Sequence, residues 1–245
     1  MNGFSRRKLI TTGLAATAGA SGLAVAARLA DRYGLIPPDY GGLYGPGTTL
    51  TYASHRLLTR HSLAREFPRS QISKAPFAKL RPFKSEVFDR LRAGGFVDYR
   101  LEVEGMVARP VSFSLSELKS FPSRTQITQL VCEEGWSFIA EWTGVPLFNV
   151  LSAVKTLPQA RYVVYYSLQP RWWHSIDMAD ALHPQTLLVY GMNGDELPMG
   201  HGGPLRLQVA RQLGYKSVKF IYRLIVTDSL KQFNKQGDYS WYAGI

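Results

Sequence analysis

The sequence predicts an α+β fold, and three observations carry that expectation. Short strands and short helices follow one another without regular βαβ alternation. No internal repeat is present. The 245 residues, 45% of them apolar, supply enough chain for one sizeable core or a core with a short extension. With 19% charged residues the chain reads as globular, and no interior stretch is uniformly apolar over a bilayer's width.

The elements follow from local signals. Residues 31–83 read as loop, because Pro37-Pro38, Gly41-Gly42 and Gly45-Pro46-Gly47 interrupt any period, and the Arg- and His-rich run 55–69 is suited to wrapping a surface. Phe83 to Arg92 reads as a helix that stops at Gly94-Gly95. Tyr99 to Val107 alternates as a strand, and Ser114-Leu-Ser-Glu117 is a capping box for a helix that Pro122 closes. Thr125 to Val131 is β-branched and leads into Cys132; Pro146 then opens a helix through Lys155. Strands are predicted at Tyr162–Ser167, Thr186–Tyr190, Leu205–Val209 and Phe220–Thr227. A short helix precedes Pro184, and Asn193-Gly194 is a hairpin turn.

Composition narrows the function classes. Twenty-nine basic residues against 18 acidic give a net charge of +11, which suits anions or acidic surfaces. The bases are scattered and form no block, so nucleic acid is not the expected partner. The single cysteine, Cys132, excludes an intramolecular disulfide and any zinc site of several thiolates. At the N-terminus, Ser5-Arg6-Arg7-Lys8 precedes an uncharged run from Thr11 to Ala27 and small residues around Ala24-Val25-Ala26. That is a twin-arginine export signal, addressed to the twin-arginine machinery. The expected location is periplasmic or exported, freed or held at the membrane by an uncleaved N-terminus.

Two constellations could carry chemistry. Cys132 stands at a strand exit, followed by Glu133-Glu134-Gly135-Trp136-Ser137. A thiolate there would be a nucleophile or a soft metal ligand, with Trp136 and Trp142 as pocket walls; the plain alternative is a small buried hydrophobe. His174, His183 and His201 would serve a Cys/His hydrolase, but no spacing selects one of them. The second constellation is His201-Gly-Gly-Pro-Leu-Arg206 with Gly214-Tyr-Lys216-Ser217-Val218-Lys219. Open glycine amides, a guanidinium and ammoniums suit a phosphate; the alternative is a solvated hairpin with surface bases. Arg171-Trp172-Trp173-His174 reads either as a pocket wall or as a strand edge.

Taken in order, Leu130-Val-Cys132-Glu-Glu-Gly-Trp136-Ser, Trp142-Thr-Gly-Val-Pro146, Tyr190-Gly-Met-Asn-Gly194 and His201 through Lys219 resemble the sulfite-oxidase-like molybdopterin-dependent oxidoreductase family over roughly residues 96–245. The Cys-x-x-x-Trp-Ser form is most similar to the branch holding catalytic subunits of periplasmic methionine sulfoxide reductase systems. The resemblance implies the family's fold of mixed sheets and short helices, with molybdenum and molybdopterin as cofactors. Cys132 would be the metal ligand and catalytic thiolate. Ser167 stands where the reductase branch has a cofactor-contacting Thr, and His201 where that branch has Asn and sulfite oxidases have His. Arg206, Ser217, Val218 and Lys219 fall on the phosphate-holding segment, and Arg65 and Phe67 on a cofactor-contacting segment ahead of the core.

The implied organisation is a signal segment 1–26, an extended segment 27–95 wrapping the core, and a catalytic domain 96–245. The family's immunoglobulin-like C-terminal domain and any Cys-x-x-Cys-His haem attachment are absent from the sequence, so a monomer is expected that exchanges electrons with a separate membrane haem protein or soluble cytochrome. The expected substrate is a small-molecule or protein-bound sulfur compound. The competing readings are a Cys/His hydrolase and a cofactor-free binding module that keeps the family fold.

Overall fold

The computed structural model describes residues 46–79 and 82–233, with isolated positions between 22 and 36. The twin-arginine motif and the C-terminal run Asp238–Tyr242 lie outside the described residues. The chain divides into two compact units, residues 1–37 with 44–60 and residues 38–43 with 61–245.

In the first unit the described element is helix α1, Pro46–Thr59. This corrects the reading of 31–83 as loop. Pro46 starts a helix rather than breaking one, since its missing N–H falls where a helix has no partner to lose. Among the described residues no helix is long and apolar enough to cross a membrane.

The second unit holds two sheets. One has five strands in the order β2 (Val111–Ser114), β1 (Arg100–Gly105), β10 (Ile221–Thr227), β5 (Tyr162–Ser167) and β6 (Trp173–Asp177). Its β1–β10 pairing is parallel and the rest antiparallel. The other runs β3 (Arg124–Val131), β4 (Ser137–Pro146), β7 (Thr186–Met192) and β8 (Asp195–Glu196), with β9 (Arg206–Val209) pairing β7. Alternation sets which face is buried: Leu101 and Val103 of β1, Val163 and Tyr165 of β5, and Leu224 and Val226 of β10 enter one core with Val145, Leu188, Leu207 and Val209 of the second sheet. Each fully buried Leu or Val there is worth about 1.5–3 kcal/mol.

The helices obey their caps. α2 (Glu86–Ala93) starts later than its apolar pattern because the Ser85 hydroxyl accepts from the Phe88 amide at 3.3 Å, and Gly94 ends it. α3 (Leu115–Lys119) has the full capping box between Ser114 and Glu117. Pro146 closes strand β4 and caps α4 (Leu147–Ala153) rather than being its first residue. Asp177 caps α5 (Met178–Ala181). The sequence reading assigned no strand at β2, β4 or β8 and left β6 open between a pocket wall and a strand edge. In β4, Phe138, Ala140 and Trp142 share one face, but Glu141 between them is also buried and blurs the alternation. Trp142 is wholly buried in this strand, which removes it from the pocket wall assigned to it.

Residues 61–79 precede the core as a largely extended segment. Glu66 bridges to Thr128 of β3, and the Phe67 amide donates to the Ile127 carbonyl at 2.9 Å. Further along, the Ser73 amide donates to the Ile139 carbonyl at 2.9 Å.

Candidate active site

The hairpin joining β3 to β4 ends in the turn 132–136. The Cys132 amide donates to the Trp136 carbonyl at 2.9 Å, and the Gly135 amide to the Cys132 carbonyl at 3.1 Å. Gly135 sits at φ +90°, a conformation that a side chain would strain. The turn sets Cys132 at the hairpin tip, where its thiol lines a cavity of about 350 Å³. That volume falls within the range of small-molecule and cofactor sites, roughly 300–1,000 Å³.

Another part of the wall comes from the second constellation. His201, Arg206, Ser217, Val218 and Lys219 all line the same cavity. Arg206 is 2% exposed, so these are not the surface bases of a solvated hairpin. Its guanidinium donates to the His201 carbonyl at 3.0 Å and the Ser217 carbonyl at 2.9 Å, and lies 4.9 Å from the Trp142 ring centre. One arginine thus ties the two loops of the cradle together. Its Nε is buried without a hydrogen-bond partner among the described residues. Gly202, at φ +103°, lets the backbone pass so close to Lys219 that a Cβ there would meet the Lys219 Cβ at 2.7 Å.

The electrostatics divide the cavity. Cys132 Sγ lies 3.4 Å from Glu133 Oε2 and 3.9 Å from Glu134 Oε2. Burial, with the Glu133 side chain adding to it, pushes the thiol up to about 11. The thiol's hydrogen-bond partners are therefore carboxylates and not an imidazole, which removes the geometry of a Cys/His hydrolase. Burial pulls His201 down to about 4, with Arg206 and Lys219 adding to it, and its ring packs against Phe138 at 5.4 Å. Burial likewise lowers Lys219 to about 7, helped by Arg206.

Not every candidate is brought here. Ser167 is not on the wall; its hydroxyl donates to the Lys219 carbonyl at 2.8 Å and so supports the cradle from behind. Arg65 and Phe67 do not line the cavity either: the Arg65 guanidinium lies 4.8 Å from the Phe67 ring centre, beside β3. The extended segment reaches the cavity further along, through Phe77 and Lys79. Lys216, gathered into the cradle by the sequence reading, turns away and donates to the Ser175 carbonyl at 2.8 Å. The run 171–174 splits: Trp172 lines the cavity, while Trp173 opens the edge strand β6 and packs on Tyr166. Phe77, Lys79 and Gln169 were missed as wall residues. The Cys132 and Arg206 motifs could not point to them, because only the fold makes these distant segments neighbours.

Fold and site together define a cofactor-binding oxidoreductase. Residues 92–234, more than half of the chain, match the oxidoreductase molybdopterin binding domain family, and the chain belongs to that family. It is 37% identical over 193 residues to the inferred protein-methionine-sulfoxide reductase subunit YedZ1 of Azospira oryzae, covering 77% of this chain and 70% of that protein. It is 34% identical to the protein-methionine-sulfoxide reductase catalytic subunit MsrP of Ralstonia nicotianae, over 58% of this chain and 46% of that one. The MsrP of Xanthomonas axonopodis pv. citri gives 34% over 55% and 46%. The matches thus span under half the length of these two catalytic subunits. Among solved structures, the sulfane dehydrogenase SoxCD of Paracoccus pantotrophus aligns with a TM-score of 0.52 at 26% identity, over 54% of this chain and 39% of that chain.

The residues present fit a molybdenum–molybdopterin group. A thiol on one wall is a soft donor for the metal. The same cavity offers the Lys219 ammonium, the Ser217 hydroxyl and the charge of Arg206, whose Nε is an unspent buried donor; these suit a phosphate.

Proposed function

We propose that this chain is an exported oxidoreductase that removes the oxygen of a sulfoxide, with electrons from a separate haem or quinone-linked partner. The reading rests above all on the cavity that brings the Cys132 thiol together with Arg206 and Lys219, and the names of the relatives agree with it. When bound, the molybdenum–molybdopterin group supplies two-electron oxygen-atom transfer. Cys132 would hold the metal, giving up its proton as it binds. Arg206, Ser217, Val218 and Lys219 would hold the phosphate end, with Ser167 bracing Lys219 and His201 packed neutral beside them. Overall, the sulfoxide takes two electrons and two protons and yields a thioether and water.

The mouth favours this direction over sulfite oxidation. Glu133 stands beside the thiol and repels a dianion such as sulfite, while Glu134 is paired with Lys79. Phe77, Trp136 and Trp172 offer aromatic surface to a neutral methyl sulfoxide or thioether.

Elemental analysis of protein from molybdate-fed cells, with a pterin fluorescence assay, tests the cofactor. About one molybdenum and one pterin per chain are expected from this single-cavity assignment. Turnover of a methyl sulfoxide with an artificial reductant, and none of sulfite with an artificial acceptor, tests the direction; the reverse result makes the chain a sulfite oxidase. Cell fractionation tests export: replacing Arg6 and Arg7 by Lys should trap the chain in the cytoplasm, and periplasmic recovery of that variant would remove the twin-arginine reading.

A further inference from the structure

The segment 73–79 runs from the second sheet to the cavity, and its contacts differ along its length. At the sheet end Ser73 is anchored twice: its amide donates to the Ile139 carbonyl at 2.9 Å, and its hydroxyl accepts from the Ile139 amide at 3.0 Å. At the cavity end the anchors are side chains. The Phe77 ring meets Trp136 edge-on at 4.9 Å, though Phe77 stays 53% exposed. Lys79 forms an ion pair with Glu134 on the exposed rim. Exposed pairs of this kind are worth about 0–1 kcal/mol, so the pair by itself does not hold the segment down.

Two anchors remain: His201, which hydrogen-bonds the Pro76 backbone, and Lys219. The Lys219 ammonium donates to the Lys79 carbonyl at 2.7 Å and to the Gly200 carbonyl at 2.5 Å. The same side chain lines the cavity. An ammonium has three N–H donors, and these two carbonyls take two of them. A third directed at an anion would be a charge-assisted bond, which fixes the head group in the position from which it donates to the two carbonyls. Lys219 is therefore shared between the segment and whatever anion the cavity holds.

We infer that residues 73–79 are a strap whose closure over the cavity is coupled, through Lys219, to occupancy of the cavity by a phosphate-bearing cofactor. This rests on the cavity being the cofactor site. Because coupling is reciprocal, loading orders the strap and an ordered strap tightens cofactor binding by the same free energy, which slower release would express. Phe77 and Lys79 thereby act as positioning residues for retention, acting through the strap rather than on the reacting atoms.

Two measurements test this. Hydrogen exchange of the 73–79 amides is compared between the loaded chain and the same chain from molybdopterin-deficient cells. Loading should slow exchange about tenfold, within the 5–150-fold range typical of such couplings. Inorganic phosphate added to the cofactor-free chain should slow it less; full slowing by phosphate alone would assign the anion site to free phosphate and overturn the coupling. Pterin release is then followed by fluorescence from a loaded Phe77→Ser variant, which needs no stable cofactor-free chain. Release about tenfold faster than wild type is expected, with Lys219→Met losing the occupancy-dependent protection. Equal strap exchange with and without cofactor, or wild-type release from Phe77→Ser, would overturn the proposal while leaving the cofactor assignment intact. A wild-type chain without pterin would instead bring down that assignment, and the coupling with it.

Discussion

The two walls of the cavity are built on opposite plans. The Cys132 wall is a hairpin turn: two backbone hydrogen bonds and Gly135 shape it, and its side chains Glu133, Glu134 and Trp136 face outward or into the cavity. The cradle wall is buried, and its cations are partly spent on the protein's own carbonyls, Arg206 on His201 and Ser217 and Lys219 on Lys79 and Gly200. The difference is physical. A turn needs little from its side chains, so it can present a reactive group with few structural consequences. A cluster of cations can be buried only if carbonyls solvate it, so its charges are structural before they are functional.

That contrast can be broken experimentally, beginning with the largest effect. Cys132→Ala should abolish turnover while the chain keeps its pterin and its melting temperature within a few degrees; activity and bound pterin are measured on the same preparation. Turnover in that variant would remove the metal-ligand role. Arg206→Leu should do the reverse kind of damage. It strands two buried carbonyls at about 1–3 kcal/mol each, so both melting temperature and retained pterin should fall together. Unchanged stability would mean that the cradle does not depend on this arginine.

A smaller effect separates Lys216 from the cradle. Burial lowers its ammonium to about 7, with Asp180 and Asp177 opposing the shift. Its folded value lies below its unfolded one, so the unfolded chain binds the extra proton between the two. Stability should therefore rise from about pH 7 to above pH 10 and be lost as pH falls back through about 7. Lys216→Met should flatten that part of the pH–melting profile and leave pterin content unchanged. Pterin loss would return Lys216 to the anion site. The smallest effect is the control: Ser114→Ala breaks the capping box of α3 and should cost about 1 kcal/mol in a denaturant titration, without touching turnover.

Much of this was legible in one dimension where the cause is local. The Ser114–Glu117 box, the Asn193-Gly194 hairpin and the strand Tyr162–Ser167 were read where they stand, because caps, turn residues and side-chain period act over a few residues. Helix α1 was misread because the same Pro46 can end a loop or start a helix, and β4 was missed because the buried Glu141 hides its alternation. The site was half legible. Cys132 and the run from His201 to Lys219 carry their chemistry in residue type and spacing, and they do share one cavity. Arg65 and Phe67 were placed one step too early along a segment whose approach to the cavity no local pattern encodes.

The sequence by itself determined the family and singled out the thiol and the run proposed to hold an anion, since residue identity fixes which groups can donate to a soft metal or to a phosphate. Only the tertiary structure decided what each cation does. Lys216 and Lys219 stand three residues apart after one glycine turn, yet one reaches Ser175 and the other the cavity. Their partners are backbone carbonyls on segments distant in the chain, such as Lys79 and Ser175, and those are brought within bonding distance by sheet pairing and core packing rather than by any spacing in the sequence.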